Sequence, residues 1–290
     1  MTKIEMLRIL CGSHAHGLAT KDSDKDFRSV YITPTSEILS LNCGSEKGNH
    51  WVEKQTDDNT SYEISHFLHL ATKSNPSILE VFKAPIVIEN SIILNEPCGT
   101  TLDQCPFGKT IHSLYFLWSK SKEGKLAVEL RQLFQYVWSS QYVKDAFKGY
   151  SHQQNKRMFD EKAEFSRRKF KYATAHIRVL LQAIELLTTG DFSVKVKHSY
   201  LDDGLHLHLP ARACKELENL KDDEMLNINV ESWASYLFAV KSGLIDVGNI
   251  VSTAEYLKSE LDKAYEENPS KETNLVPVND FLLNVRKEYW

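Results

Sequence analysis

Residues 7–32 read LRILCGSHAHGLATKDSDKDFRSVYI, and this stretch decides how the N-terminal part of the chain folds. It begins with apolar residues, breaks at Gly12-Ser13, and continues as a short polar loop. Asp24 and Asp26 follow, after which the sequence becomes apolar again. The pattern predicts the end of a helix or strand, a Gly-Ser turn, a loop, and then a strand that carries both aspartates.

The two aspartates are candidates for a metal site. Alternate residues of a strand point to the same face, so Asp24 and Asp26 would project together. Neighbouring carboxylates repel each other unless a cation lies between them or one takes up a proton. Mg²⁺ (or Mn²⁺) prefers carboxylate oxygens and substrate phosphates as ligands. We therefore predict a metal at the pair and a phosphate held by Gly12 and Ser13. An Asp-x-Asp pair is also common in solvated surface turns.

The order of these features resembles the signature of the polymerase-beta-type nucleotidyltransferases. More closely, GSHAHGLATKDSDKDFRSVYITP (12–34) resembles the RNA-repair-associated, RlaP-like predicted nucleotidyltransferases of bacteria and phages. Four later stretches are also similar to that family: YEISHFLHLATKSNPSILEVFKAP (62–85), FKGYSHQQNKR (147–157), TAHIRVLLQAIELLTTGDFSV (174–194) and the segment from KSGLIDVGNI (241–250) onward. The family pattern has a lysine one turn before the histidine of the long helix, where this chain has Tyr172.

The resemblance implies an α+β fold, in which a polymerase-beta-like nucleotidyltransferase domain with a mixed sheet and helices is followed by a helical domain. Residues 95–110 are rich in Pro, Gly and Thr, so we place the domains at 1–115 and 116–290. The implied activity is metal-dependent transfer of a nucleoside monophosphate from an NTP to a hydroxyl acceptor, an RNA 3′ end, with release of pyrophosphate. Two alternatives stay open: a toxin-like transferase acting on tRNA or a protein partner, and a non-catalytic module that binds nucleotide or RNA.

Two-metal transfer needs a third carboxylate beside the pair. Thr60 and Glu63 have the spacing of a capping box, which gives Glu63 a structural explanation at a helix start. Asp58 comes at the end of the preceding predicted strand and is the first choice, before Glu63 and then Asp57. The predicted catalytic residues are Asp24, Asp26, Asp58 and Glu63, and the predicted metal ligands are Asp24, Asp26 and Asp58.

Besides Gly12 and Ser13, the predicted nucleotide-binding residues are Arg28, His176 and Arg178. Arg28 has the planar donor geometry for a phosphate, although an ion pair with a nearby aspartate explains it equally well. The resemblance gives His176 and Arg178 a role in the site; both belong to a long helix predicted over 161–188. Without the resemblance, His176 would be interpreted as a core histidine.

Composition limits the partners. The 290 residues carry a net charge of −4, so a surface for nucleic acid must be local. Basic residues alternate with aromatic ones between 150 and 178, which is typical of a surface that binds a phosphate backbone, and also of a solvated helix. The 5 cysteines are scattered and favour reduced thiols in the cytoplasm. No apolar run has the length of a membrane span. We expect NTP and RNA as partners, and the sequence does not determine the oligomeric state.

Overall fold

The computed structural model describes residues 2–41, 52–56, 59–89, 91–93, 109–160, 168–201, 205–220 and 228–290. The chain forms two compact units. The first, called the sheet unit, comprises Met1–Ala15, Lys21–Trp138 and Thr273–Trp290. The second, called the helical unit, comprises His16–Thr20 and Ser139–Glu272. The domain boundary placed after residue 115 stays a prediction.

A six-stranded mixed sheet forms the centre of the sheet unit. Its strands are β1 (Ile4–Cys11), β2 (Asp26–Ile32), β3 (Val52–Thr56), β4 (Asn59–Glu63), β5 (Ile86–Ile88) and β6 (Ser91–Ile93), in the spatial order β3-β4-β2-β1-β5-β6. β2 and β4 run parallel, whereas the other neighbouring strands are antiparallel. The two central strands carry part of the core, since Ile9 of β1 and Val30 of β2 are fully buried. The mixed α/β character predicted from the sequence is confirmed.

Short helices and two longer ones accompany the sheet. They are α1 (Gly12–Ala15), α2 (Thr35–Ile38), α3 (Ile64–Thr72), α4 (Pro76–Leu79) with the 3-10 turn Glu80–Phe82, α5 (Lys109–Lys120), α6 (Lys122–Gln132) and α7 (Phe134–Val137). Asn75 caps α4 by accepting hydrogen bonds from Ser77 N and Ile78 N, and Pro76 follows in the first turn.

The predicted capping box of Thr60 and Glu63 is wrong. β4 continues through both residues because its backbone pairs with β2, in which Tyr31 is the partner of Glu63. α3 begins at Ile64, and Glu63 is itself the N-cap, with its side chain accepting a hydrogen bond from Ser65 N at 2.8 Å. The pairing of β4 with β2 keeps these residues in a strand, so the helix begins later than predicted. Local spacing does not show this pairing.

The helical unit contains α8 (Ser140–Met158), α9 (Arg168–Thr189), α10 (Ala211–Asn219), α11 (Trp233–Lys241) and α12 (Val247–Glu267). α9 is its central element, with α8, α11 and α12 packed against it. The predicted stripe of Ala173, Ile177 and Leu180 is buried. The predicted start of this helix at 161 lies outside the described residues. In the part of the chain that the structure describes, no helix combines the length and the apolar character needed to cross a bilayer.

The last helix, α13 (Leu275–Glu288), returns to the sheet unit. It buries Val278, Phe281 and Val285 and contacts α3, α6 and α7. The C-terminal tail therefore completes the core of the N-terminal fold.

Candidate active site

Gly12 and Asp26 lie directly against each other. β1 ends at Cys11, whose cross-strand partner is Asp26, the first residue of β2. Gly12 follows with φ +64°, in the left-handed region, and a Cβ built on it would overlap the Asp26 carboxylate. Both the backbone conformation and the close approach require glycine at this position. The structure thus brings the predicted Gly-Ser turn and one predicted carboxylate together.

Asp24 is placed differently from the sequence prediction. β2 begins at Asp26, so Asp24 precedes the strand and is exposed, while Asp26 is half-buried. The expectation that one strand carries both aspartates is wrong, because strand pairing with β1 starts only at Asp26. The loop is tied back to α1, since His14 Nε2 donates a hydrogen bond to the Ser23 carbonyl oxygen at 2.9 Å. His14, which lies one residue after Ser13, therefore positions the residue next to Asp24.

Arg28 lies on the same face of β2 as Asp26, because alternate strand residues share a face. Its Nη1 donates to the Ser77 carbonyl oxygen at 2.9 Å and lies 3.5 Å from Glu80 Oε2. The Glu80 side chain is almost fully buried. Arg28 thereby connects β2 to the first turn of α4 and to the 3-10 turn that follows it, contacts that no local sequence pattern predicts.

Glu63 is not brought to Asp26. In the parallel register its partner is Tyr31, five positions along β2 from Asp26, which is about 16 Å at the rise of a strand. An odd number of positions also puts the two side chains on opposite faces. The Glu63 carboxylate is fully buried and pairs with Arg286 Nη2 at 2.6 Å. These contacts give it a structural role at the start of α3.

Asp57 and Asp58 lie outside the described residues. The next residue in the chain, Asn59, pairs with Phe27 in the parallel register of β4 and β2, and Phe27 follows Asp26. Within the described ranges, no three His, Cys, Asp or Glu side chains come together as metal ligands. The donors that are described, the carboxylates of Asp24 and Asp26 and the Ser13 hydroxyl, are hard oxygen ligands of the kind that suit Mg²⁺.

His176 and Arg178 are buried in α9 of the helical unit. His176 Nδ1 is 2.6 Å from Ser151 Oγ, and burial lowers the pKa of His176 to about 4, so the ring is neutral near pH 7. Arg178 donates to Gln182 Oε1 at 2.7 Å. Further along α9, Glu185 pairs with Lys197 at 2.7 Å. Gln182 Nε2 donates to the Ser193 carbonyl oxygen, and Ser193 N donates to Glu185 Oε2. Arg178, Gln182 and Glu185 therefore belong to one hydrogen-bonded group.

The loop between Gly12-Ser13 and Asp24 takes part in the helical unit. His16 O accepts a hydrogen bond from Val196 N at 3.1 Å, and Leu18 O accepts one from Lys241 Nζ at 2.6 Å. Leu18 is buried. Packing within the helical unit therefore explains the apolar Leu18 that follows Gly17, a role that the sequence alone does not predict.

The N-terminal part of the chain is similar to a known protein family. Residues 5–99 match the family described as RNA repair pathway DNA polymerase beta family, which confirms the resemblance drawn from the sequence for this segment. The chain is also 32% identical over 80 residues to an uncharacterized 38.9 kDa protein in the nrdC-mobD intergenic region of Enterobacteria phage T4. That match covers 26% of this chain and 24% of the phage protein, so the chain spans about a quarter of that relative. No solved structure matches the chain. The family match supports a nucleotidyltransferase-type function.

Proposed function

We propose that the protein transfers a nucleoside monophosphate from an NTP to a hydroxyl acceptor, an RNA 3′ end, in a metal-dependent reaction that releases pyrophosphate. The observation that carries the proposal is the contact between Asp26 and Gly12 in a segment that matches a polymerase beta family. It sets a carboxylate beside a turn whose backbone a phosphate can approach closely.

In the proposed reaction, the acceptor hydroxyl loses its proton to water and its oxygen attacks the α-phosphorus of the NTP. The bond between the α-phosphorus and the oxygen bridging to the β-phosphate breaks, and pyrophosphate leaves. Gly12 and Ser13 hold the phosphates through the backbone N–H and the hydroxyl. Asp24, Asp26 and Asp58 would hold Mg²⁺ or Mn²⁺, which lowers the pKa of the attacking hydroxyl and stabilises the leaving pyrophosphate. Asp58 is preferred to Glu63 as the third carboxylate because Glu63 is paired with Arg286 and lies far along the strand from Asp26.

Arg28, His176 and Arg178 are proposed as further nucleotide-binding residues, and the structure restricts how the first two can act. Arg28 reaches a phosphate only with the part of its guanidinium that Ser77 and Glu80 leave accessible. A neutral His176 would contact a ligand through a hydrogen bond and not through charge.

Release of pyrophosphate from labelled NTPs, with Mg²⁺ or Mn²⁺ and total RNA, tests the proposal. Asp24→Asn and Asp26→Asn should each abolish release, because the amide keeps the shape but loses the charge that binds metal. The matched control is Asp22→Asn, an exposed residue of the same loop, which should retain full activity. Unchanged turnover in both aspartate variants would end the two-metal mechanism.

The same assay separates the alternatives. A non-catalytic module that binds nucleotide or RNA would release no pyrophosphate under any condition. A transferase acting on a protein partner would place the label on protein and not on RNA, and a tRNA-directed enzyme would label one size class of RNA. Label at the 3′ ends of RNA is the result that the proposal predicts.

A further inference from the structure

We propose that the end of α8 and the beginning of α9 form a binding surface for a single-stranded RNA acceptor. We call it the basic groove, formed by Gln153, Lys156, Arg157, Asp160, Arg168 and Tyr172. The inference deepens the proposed function, on which it rests for the identity of the acceptor, and it lies wholly within the helical unit.

A cavity of about 400 Å³ is lined by Gln153, Lys156, Arg157 and Asp160. All four residues are exposed, so a ligand would lie in an open groove and not in an enclosed pocket. The first three share one face of α8, because residues three and four positions apart on a helix are neighbours. An open groove suits a polymer that continues beyond the contact site.

The beginning of α9 adds an aromatic ring and a third cation. The guanidinium of Arg157 lies 5.9 Å from the centre of the Tyr172 ring. Arg168 is exposed and precedes Tyr172 by one helical turn, so the two share a face of α9. An arginine stacked on an aromatic ring keeps its N–H edges available for a phosphate, and aromatic rings also stack bases.

The charges favour an anion at this place. Lys156, Arg157 and Arg168 outnumber the single carboxylate of Asp160, although the whole chain carries a net charge of −4. The net negative charge of the chain disfavours binding of a polyanion to most of its surface. The three cations of the basic groove would locally favour such binding.

The mixture of groups favours an RNA strand over a free NTP. The Asp160 carboxylate would repel the charge concentrated on a triphosphate. In an RNA strand the phosphates are single and spaced along the chain, so a 2′-hydroxyl or a base N–H between them can donate to the carboxylate. The Gln153 amide both donates and accepts, so it can bind a base edge or a 2′-hydroxyl. The cations can bind the more widely spaced phosphates of the backbone.

The test measures binding of a fluorescent single-stranded RNA oligonucleotide to the full chain carrying Asp26→Asn, so that no transfer occurs. Adding Lys156→Gln and Arg157→Gln should reduce the slope of log affinity against log salt by about 1.4, because each phosphate contact contributes about 0.7 for a single strand. The affinity at 0.1 M salt should fall by roughly 25-fold, which is the same effect expressed at one concentration.

Two comparisons make the result specific. Lys215→Gln with Lys263→Gln changes the net charge equally, at exposed positions on α10 and α12, and should leave the slope unchanged. Tyr172→Leu should weaken binding by about tenfold with an unchanged salt slope, because stacking releases no ions, whereas Tyr172→Phe should bind normally.

Equal losses in both double variants, or indifference of binding to Lys156 and Arg157, would overturn the proposal. So would displacement of the RNA by polyglutamate at equal charge, since the groove would then take acidic protein. Pyrophosphate release is measured separately. If no release occurs while the groove binds RNA as described, the transferase function is rejected and the RNA-binding surface is retained. If release occurs and the groove variants bind RNA normally, RNA binding by the basic groove is rejected and the transferase function is retained.

Discussion

At the position of Gly12, a backbone requirement and a spatial requirement coincide. The residue adopts φ +64°, and the Asp26 carboxylate occupies the space that a side chain would need. A residue under two independent constraints tolerates no substitution, in contrast to a glycine that satisfies a turn alone.

Gly12→Ala should therefore abolish pyrophosphate release and lower the free energy of unfolding by about 1–3 kcal/mol, because the new Cβ displaces Asp26 and strains the backbone. The control is Gly149→Ala in the middle of α8, where a Cβ would meet nothing within 4 Å. That change should stabilise the protein by about 0.5–1 kcal/mol through helix propensity and leave activity unchanged. Urea unfolding and the pyrophosphate assay measure both; an active Gly12→Ala protein would contradict the proposed site.

Local spacing predicted the Gly-Ser turn and its approach to the carboxylate region, because both belong to one short stretch of chain. It could not predict the partner of Arg28, since Glu80 lies far along the sequence and meets β2 only through the fold. Local spacing also gives no sign that His14 donates a hydrogen bond to the Ser23 carbonyl oxygen. Contacts made across folded elements leave no local pattern.

At the scale of elements, the misplaced start of α3 has a clear physical cause. The capping-box spacing of Thr60 and Glu63 is a local signal, and the parallel pairing of β4 with β2 prevails over it. The carboxylate of Glu63 then serves two elements at once, as the cap of α3 and as the partner of Arg286 on α13. No local pattern connects residues so far apart in the chain.

Arg286→Met should destabilise the sheet unit by about 3 kcal/mol or more, because it leaves the fully buried Glu63 carboxylate without its cation. The matched control is Arg212→Met, whose ion pair with Asp246 at 3.7 Å is more than half exposed on both sides. Its loss should cost under about 1 kcal/mol. Urea unfolding measures the free energy of unfolding of both variants. Equal losses would show that the buried ion pair contributes no more to stability than the surface pair.

The contact of α8 with α9 makes the helical unit sensitive to acid. Burial lowers the pKa of His176 to about 4, with Lys258 adding to the effect and Glu255 and the bond to Ser151 opposing it. The ordinary value in the unfolded chain is about 6.5, so below that pH the unfolded state binds more protons. Stability should therefore be constant above pH 6.5 and fall by about 3 kcal/mol on going to pH 4.

Urea unfolding between pH 4 and 7 measures this dependence. His176→Asn keeps an acceptor for Ser151 and cannot titrate, so most of the pH dependence in this range should disappear. His208→Asn removes an exposed histidine of the helical unit that does not shift the pKa of His176, and it should leave the dependence as it was. A pH profile unchanged by His176→Asn would show that other groups govern the response to acid.

At the scale of the molecule, the compact units are not continuous stretches of the chain. The sheet unit takes its first part from the N-terminus and its last helix from the C-terminus. Composition along the chain predicts a single boundary, because it does not show that the C-terminal segment packs against the N-terminal fold. Hydrogen bonds such as Thr35 N to Tyr289 O at 2.7 Å, and Arg286 Nη1 to Thr33 O at 3.1 Å, hold this tail beside β2.

Deleting residues 273–290 should therefore loosen the N-terminal fold and spare the helical unit. The deletion removes the buried side chains of Phe281 and Val285 and exposes the Glu63 carboxylate to water. Amide hydrogen exchange should become faster in α3, α6 and α7, which lose the helix packed against them, and stay unchanged in α9 and α12. Removing Trp290 alone, which is 76% exposed, is the matched control and should change neither region. If exchange accelerates equally in α9, the two units unfold together, and the assignment of α13 to a separately stable sheet unit is wrong.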